Sequence, residues 1–221
     1  MTAKKRLIYI DQLVGPNSVD VINALCDYYE VHLYYGSVII TYAPFDPRVK
    51  QYERNTYNKD SIFARFLSWV LFYSTTLPII LFKKKDHLFL VSNPPLNFFF
   101  GFVFKLLTRT KFSLLLWDIY PDIIIQSGVI SKDNPISRIW SFLNGIVLPK
   151  AHRIFTVSEF LASEISKYQG GASANIRVVP TWTDAEKIRP IAKRENPFIK
   201  RHDLSDKFIV MYSGIWERPM T

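Results

Sequence analysis

The chain of 221 residues has little cysteine, few glycines and no familiar catalytic signature. Its one cysteine, Cys26, excludes an internal disulfide framework, and on a predicted helix it is interpreted as a small core residue. The loop after the first predicted strand has a single glycine, Gly15, so the GxGxxG dinucleotide fingerprint is absent. The four scattered histidines form no metal-ligand spacing with the cysteine, and no nucleophile elbow or Walker loop is found.

One segment, Ile62–Phe82, raises the question of a membrane span. Its only charge is Arg65, and Lys83–Lys85 follow it. Scattered hydroxyl residues and Pro78 dilute the apolar run, so we favour a buried or interfacial helix over a true span. No secretory signal peptide is expected, because the apolar run Leu7–Ile10 is too short.

The formal net charge of +9 is compatible with two partners, a nucleic acid or an anionic membrane surface. No helix-turn-helix, zinc spacing or aromatic-interleaved basic run accompanies the charge, so no nucleic-acid partner is expected. Lys83–Lys85 end a very apolar helix, which favours the cytoplasmic face of a membrane. An ordinary solvated basic surface is the alternative for each basic cluster.

Short apolar, β-rich runs alternate with helical stretches along the chain. The alternation predicts βαβ crossovers, and therefore an α/β fold with a Rossmann-like parallel sheet and helices on both faces. The predicted strands are Arg6–Asp11, Glu30–Tyr35, His87–Ser92, Lys111–Trp117, Arg153–Val157, Asn175–Val179 and Lys207–Ser213. The predicted helices are Val19–Tyr28 with Ser18 as N-cap, Ser61–Phe82, Leu96–Leu107, Ile123–Ser127, Pro135–Leu148 and Ser158–Tyr168, and Ile40–Lys59 is predicted to be a loop.

The proline- and charge-rich stretch over residues 190–206 is typical of an interdomain linker. We therefore predict a Rossmann-like domain over residues 1–189, this linker, and the first strand of a second domain within residues 207–221.

Ligands of open parallel sheets bind at the carboxyl ends of the strands. Asp118 follows a buried strand directly and is the best candidate for a catalytic base or for orienting a hydroxyl. Asp122 could do the same or cap the next helix, and Ser158 with Glu159 could cap a helix or present N–H groups to an anion. Trp182 could stack on a sugar ring or pack in the core. The remaining candidates at these ends are Gly15, Asn17, Tyr120 and Asp184. An ordinary strand-to-helix turn would also explain the loop that contains Gly15 and Asn17.

Five stretches taken together resemble bacterial glycosyltransferase family 4, in particular the subgroup that builds O-antigen and capsule. They are LFLVSNPPLNFF, FSLLLWDIYPDIIIQSGVI, RIFTVSEFLASEI, RVVPTWTDAEKIRPI and DKFIVMYSG. The resemblance implies a GT-B fold, in which a first Rossmann-like domain binds the acceptor and a second binds a nucleotide sugar. It also implies retaining transfer without a metal or cofactor, because protein groups stabilise the leaving diphosphate.

Carried onto this chain, the resemblance places the Gly15 loop and the turn with Asp118, Tyr120 and Asp122 on the acceptor side of the cleft, and Gly214 on the donor side. Many members have a catalytic histidine near the end of the strand that finishes here in Trp117, and this chain has none there. The implied acceptor is a saccharide or a sugar on a polyprenyl diphosphate, at the inner face of the plasma membrane.

The tail after Gly214 departs from the family's pattern, in which a loop such as SGNMG follows the last strand. Deleting one A from AAT in GGA AAT ATG GGA GCG ACC CAT GAC A turns Gly-Asn-Met-Gly-Ala-Thr-His-Asp into Gly-Ile-Trp-Glu-Arg-Pro-Met-Thr, the tail of this chain. We therefore expect a frameshift in a longer gene and no transferase activity from the chain as written. The alternatives are the acceptor-binding subunit of a two-polypeptide enzyme, a non-enzymatic membrane protein, and, from net charge alone, a nucleic-acid binder.

Overall fold

The computed structural model describes residues 4–39, 43–58, 60–186 and 188–211. The chain divides into two compact units, Met1–Pro180 and Thr181–Thr221. In the first unit the strands are β1 (Lys5–Val14), β2 (Tyr29–Val38), β3 (Lys50–Glu53), β4 (His87–Val91), β5 (Lys111–Leu116), β6 (Arg153–Thr156) and β7 (Ile176–Val178). Its helices are α1 (Pro16–Leu25), α2 (Ile62–Phe82), α3 (Asn97–Thr108), α4 (Asp122–Gln126), α5 (Pro135–Val147) and α6 (Glu159–Lys167), and the second unit contains α7 (Pro197–Arg201).

The seven strands form one parallel sheet in the order β3-β2-β1-β4-β5-β6-β7. The strand order reverses beside β1, where Leu7 lies opposite Val31 of β2 on one side and His87 of β4 on the other. Such a reversal opens a crevice at the carboxyl ends of the two central strands, which is where doubly wound sheets bind ligands.

Alternate residues of β1 enter two different hydrophobic clusters, because successive side chains of a strand point to opposite faces. Leu7 and Tyr9 pack with α1, whereas Ile8 and Ile10 pack with α2 and the other long helices of the first unit. Helices therefore cover both faces of the sheet, and the predicted fold class is confirmed.

Helix α2 connects β3 to β4 in the chain and packs on the sheet face that carries Ile8 and Ile10. It begins at the N-cap Ser61, whose Oγ accepts a hydrogen bond from the Ala64 N–H at 3.1 Å. Phe72 and Ile80 are completely buried against the sheet. Among the described residues α2 is the one helix long and apolar enough to cross a membrane, although only 22% of its apolar window is buried.

The loop predicted for Ile40–Lys59 contains a strand, β3, so this prediction was wrong. With only four residues in the pattern KQYE, β3 has no apolar periodicity. It exists because the free edge of β2 offers unpaired backbone groups, and Tyr34 of β2 registers with Tyr52 of β3. Pairing across the sheet rather than local sequence therefore creates this strand.

The predicted N-cap Ser18 lies inside α1, which begins at Pro16 with Gly15 in the N-cap position. Proline suits the first helical turn, since its fixed φ is helical and its missing N–H would have no partner there. The buried Ser18 instead donates a hydrogen bond of 2.8 Å to the Asp11 carboxylate. Cys26 is buried directly after this helix, as expected for a core residue.

The predicted strand Lys207–Ser213 is not formed over its described residues, 207–211. A strand needs a neighbour to pair with its backbone, and Phe208, with 96% of its surface exposed, has none in the described part of the chain. Within the predicted linker, α7 is capped by Asn196, whose side chain accepts a hydrogen bond from the Phe198 N–H. The domain boundaries themselves stay a prediction.

Candidate functional site

A cavity of about 200 Å³ opens at the carboxyl ends of β5 and β6. It lies between the turn that follows β5 and the first turns of α6. The residues that line it include Trp117, Asp118, Asp122, Ser158, Phe160 and Glu164. The structure thus brings together three of the predicted site residues, Asp118, Asp122 and Ser158, and adds aromatic walls.

Asp118 stands at the mouth of this cavity. Solvent still reaches Asp118, but desolvation by the groups around it raises the pKa of its carboxyl above the ordinary value. A carboxylate with a raised pKa accepts a proton more readily near neutral pH than an ordinary surface aspartate does. Asp118 is therefore placed to orient or deprotonate a ligand hydroxyl.

Asp122 has a structural partner. It is the first residue of α4, and its Oδ2 accepts a hydrogen bond of 2.6 Å from the Tyr168 hydroxyl at the end of α6. No side chain caps the N-terminus of α4, so the alternative of Asp122 as a helix cap is not what the structure shows. The bond ties the cavity's two walls together and leaves one Asp122 oxygen for a ligand.

Ser158 caps α6, as one of its two predicted roles required. Its Oγ accepts a hydrogen bond of 3.1 Å from the Leu161 N–H. Glu159 is exposed in the first turn, where its charge stabilises the positive end of the helix dipole.

Tyr120 contacts α5 and is not among the residues that line the cavity. Its ring stacks on Trp140 at a centroid distance of 5.6 Å, and its carbonyl accepts a hydrogen bond of 2.6 Å from Asn144 Nδ2. Burial, together with Asp118 and Tyr57, raises the pKa of the Tyr120 hydroxyl, whereas Arg65 lowers it. The positive charge of Arg65, near the start of α2, therefore acts electrostatically on the turn after β5.

Sequence reasoning missed Arg65 and Tyr57 as neighbours of this site. Arg65 is the only charged residue of α2, and a lone charge in an apolar helix is the signal that could have identified it. Tyr57 stacks on Trp69 of the same helix at 6.4 Å, and its loop carried no recognisable pattern.

The Gly15 loop follows β1 and does not line the cavity. Because β4 lies between β1 and β5, the ends of the two strands are separated by about 10 Å. Gly15 leaves open space where a Cβ would stand, and Asn17 is half-buried in the first turn of α1. A ligand that reached both places would have to extend across the end of β4.

Trp182 and Asp184 belong to the second unit. Trp182 is partly exposed, and Asp184 forms a turn in which its Oδ1 accepts a hydrogen bond of 3.0 Å from the Glu186 N–H. Gly214 lies outside the described residues. The roles assigned to these residues stay predictions.

Comparison with known proteins gives similarity both in sequence and in structure. No family model matches the chain. Over 136 residues the chain is 21% identical to the probable glycosyltransferase WbjE of Pseudomonas aeruginosa, a match that covers 62% of this chain and 32% of that protein.

The chain superposes on the sucrose-phosphate synthase of Thermosynechococcus elongatus with a TM-score of 0.58 and 10% identity, over 91% of this chain and 52% of that one. It superposes on Anabaena HepE, solved in complex with UDP and glucose, with a TM-score of 0.52 and 11% identity, over 92% and 52% of the two chains. The chain thus spans about half the length of these structures and 32% of WbjE. It has the Rossmann-like α/β fold of about half of a GT-B structure, and its sequence is similar to that of a probable glycosyltransferase.

Proposed function

We propose that the chain is the acceptor-binding part of a glycosyltransferase that transfers a sugar, with retention of configuration, in the synthesis of cell-surface polysaccharide such as O-antigen or capsule. The observation that carries the proposal is the cavity at the carboxyl ends of β5 and β6, whose lining includes the carboxylates Asp118 and Asp122 and two aromatic side chains, Trp117 and Phe160. Carboxylates bind sugar hydroxyls and aromatic faces stack on sugar rings. The similarity to WbjE supports the same class of reaction.

The acceptor is a saccharide or a sugar linked to a polyprenyl diphosphate. In this proposal Asp118 orients the attacking hydroxyl and accepts its proton as the new glycosidic bond forms. Asp122, held by Tyr168, and Ser158 border the sugar. Tyr120, Gly15, Asn17 and Glu159 lie at the same carboxyl edge of the sheet.

The donor is a nucleotide sugar, as suggested by the UDP and glucose bound to HepE. The proposal requires no resident metal or cofactor, since backbone N–H groups such as that of Gly214 and basic side chains would stabilise the leaving diphosphate. The displaced reading frame after Gly214 also stays a proposal. Resequencing the codons for Ser213 to Thr221 and the region downstream tests it. The absence of a donor-domain sequence in the alternative frame would refute it.

Acceptor binding tests the proposal on the chain itself. Binding of a short-chain polyprenyl-diphosphate N-acetylhexosamine is measured by tryptophan fluorescence for the wild type and Asp118→Asn. We expect saturable binding that weakens about tenfold in the variant, the usual cost of losing a charged hydrogen bond. Asp203→Asn, which removes an exposed carboxylate in the second unit, is the matched control and leaves the affinity unchanged.

Two results would overturn the assignment. The first is equal affinity of wild type and Asp118→Asn. The second is the absence of saturable binding to this lipid and to free saccharides alike, since either ligand satisfies the proposal.

A further inference from the structure

The cavity at the carboxyl ends of β5 and β6 has an acidic lining in a basic protein. Asp118, Asp122 and Glu164 line it, and no lysine, arginine or histidine is found among its described lining residues. Arg65, which acts on the nearby Tyr120 hydroxyl, does not line it. The chain as a whole has a formal net charge of +9. The charge of the cavity is therefore opposite to that of the chain, and this contrast bears on the ligand that it admits.

The three carboxylates differ in what offsets their charge. Glu164 forms an ion pair with Lys167, one turn further along α6, so its charge is partly offset. Asp122 accepts its hydrogen bond from the neutral hydroxyl of Tyr168 and keeps its charge. Asp118 is exposed at the mouth of the cavity. Two negative charges, those of Asp118 and Asp122, therefore act on a ligand in the cavity.

The amino end of α6 does not reverse this charge. The N–H groups at a helix N-terminus attract anions, and the sequence left such a role open for Ser158 and Glu159. In the structure the Ser158 hydroxyl accepts a hydrogen bond of 3.1 Å from the Leu161 N–H. The carboxylate of Glu159 lies in the first turn, where it already stabilises the positive end of the helix dipole. Protein groups thus occupy the positions from which this helix end would hold an anionic ligand.

An aromatic ring forms part of the rim. Phe160 lines the cavity and is 65% exposed, whereas Ile119 and Leu161, which also line it, are buried. A ring this exposed can receive the apolar face of a sugar. The cavity's volume of about 200 Å³ is smaller than the ~300–1,000 Å³ of sites that hold drug-sized ligands, so it suits a single ring.

We infer that the cavity admits one sugar ring without a negative charge, so that the acceptor presents a neutral sugar or an amino sugar there and not a uronic acid. The inference rests on the proposed function and specifies its acceptor. The apolar face of the ring lies on Phe160, and Asp118 and Asp122 accept hydrogen bonds from its hydroxyl or ammonium groups.

The size of the selection follows from the two charges. At low ionic strength a ligand carboxylate about 4 Å from one protein carboxylate binds about fivefold more weakly than a neutral group, even at the dielectric constant of water. Asp118 and Asp122 together should therefore weaken the binding of a uronate by at least about 25-fold.

Binding of simple methyl glycosides tests the inference. The probes are the methyl pyranosides of a hexose, its 2-amino sugar and its uronate, in the gluco and galacto series. They are titrated at pH 6 and low salt, where the amine carries a proton and the uronate has lost one. Tryptophan fluorescence follows binding, because Trp117 lines the cavity. We expect the amino sugar to bind most tightly, and the uronate at least about 25-fold more weakly than the hexose.

Removing the carboxylates tests the cause of the selection. Asp118→Asn and Asp122→Asn should each reduce the preference for the hexose over the uronate about fivefold, whatever happens to the affinity itself. Glu195→Gln, which removes a carboxylate paired with Arg194 in the second unit, is the control and should keep the full preference. Circular dichroism establishes that each variant is folded.

Replacing the aromatic ring separates stacking from charge. Phe160→Ala should weaken the binding of the hexose and the amino sugar about fivefold without changing their ratio, and Phe160→Tyr should restore it. Phe82→Ala, which alters a phenylalanine 88% exposed at the end of α2, is the control and should leave the affinities unchanged.

Three results would overturn the inference: a uronate that binds as tightly as the hexose, a preference that survives in both aspartate variants, or no binding of any methyl glycoside. None of them decides the proposed function, because the lipid-linked acceptor tests that separately.

Discussion

The hydroxyl of Tyr168 donates a hydrogen bond of 2.6 Å to the carboxylate of Asp122, joining the end of α6 to the first residue of α4. Burial, and then the neighbouring carboxylate, raises the pKa of Tyr168 to about 12, so the hydroxyl stays protonated at every ordinary pH. The two residues are 46 positions apart in the chain. Through this contact α6 holds the turn that carries Asp118 and Tyr120.

We predict that Tyr168→Phe lowers the free energy of unfolding by about 1–2 kcal/mol, because Asp122 loses a charge-assisted hydrogen bond. Urea denaturation measures the loss. In a double-mutant cycle with Asp122→Asn, the two effects should be coupled rather than additive. Ser141→Ala, which removes a longer contact of 3.5 Å to the same hydroxyl, is the control and should cost less.

Asp11 should make the fold less stable as the pH rises. Burial raises the pKa of its carboxyl to about 7, although Ser18 and the Leu13 N–H donate hydrogen bonds to it. Between its ordinary pKa, near 4, and pH 7 the folded state binds more protons than the unfolded state, so the free energy of unfolding falls through this window.

Asp11→Asn has no charge to bury. Its Oδ1 can still accept the Leu13 N–H, and its Nδ2 can donate to Ser18 Oγ in place of the bond that Ser18 donates in the wild type. Between pH 4 and pH 8 the titration of Asp11 lowers the wild type's free energy of unfolding by as much as about 4 kcal/mol, and we expect the variant to lack this loss. Chemical denaturation at the two pH values gives the difference. An identical pH dependence in the two proteins would show that Asp11 does not titrate in this window.

His87 should act in the opposite direction. Burial, and then the nearby His152 and Lys111, lower the pKa of His87 to about 4. Below its ordinary pKa of about 6.5 the unfolded state takes up a proton that the folded state refuses, so stability is lost as the pH falls from 6.5 to 4, by about 2–3 kcal/mol.

His87→Gln tests this effect and retains a polar group for the contact of 2.9 Å with Ser113. The variant should lose stability less steeply between pH 6.5 and 4 than the wild type does. His202→Gln, at the end of α7, is the matched histidine-to-glutamine control.

Two glycines should respond to substitution in opposite ways. A Cβ on Gly36 would collide with the backbone carbonyl of Asn55 and lie 2.9 Å from that of Gln12, so Gly36→Ala should cost more than about 2 kcal/mol. A Cβ on Gly15 meets nothing, and serine caps helices well, so Gly15→Ser should be neutral or stabilising by a few tenths of a kcal/mol. Thermal unfolding compares the stability of the two variants. If a stable Gly15→Ser protein lost acceptor binding, that loss would place a ligand at this loop.

Much of the fold was predictable because its strands are apolar and bounded by turn residues. The predicted helix Ser61–Phe82 matches α2 within one residue, since Ser61 and the lysines that follow mark its ends. Where the prediction failed, the determinant was non-local: β3 depends on the free edge of β2, and residues 207–211 have no strand to pair with among the described residues.

The sequence by itself determined the parallel α/β sheet, because runs of buried strand residues alternating with helices permit little else. Only the tertiary structure decided which polar residues meet. It placed Asp118, Asp122 and Ser158 around one cavity, separated them from Gly15 by the width of β4, and gave Asp122 a partner in Tyr168. It also buried Asp11, whose titration no local pattern could indicate. The physical reason is that strand order and helix packing set distances between residues far apart in the chain, and local sequence does not encode those distances.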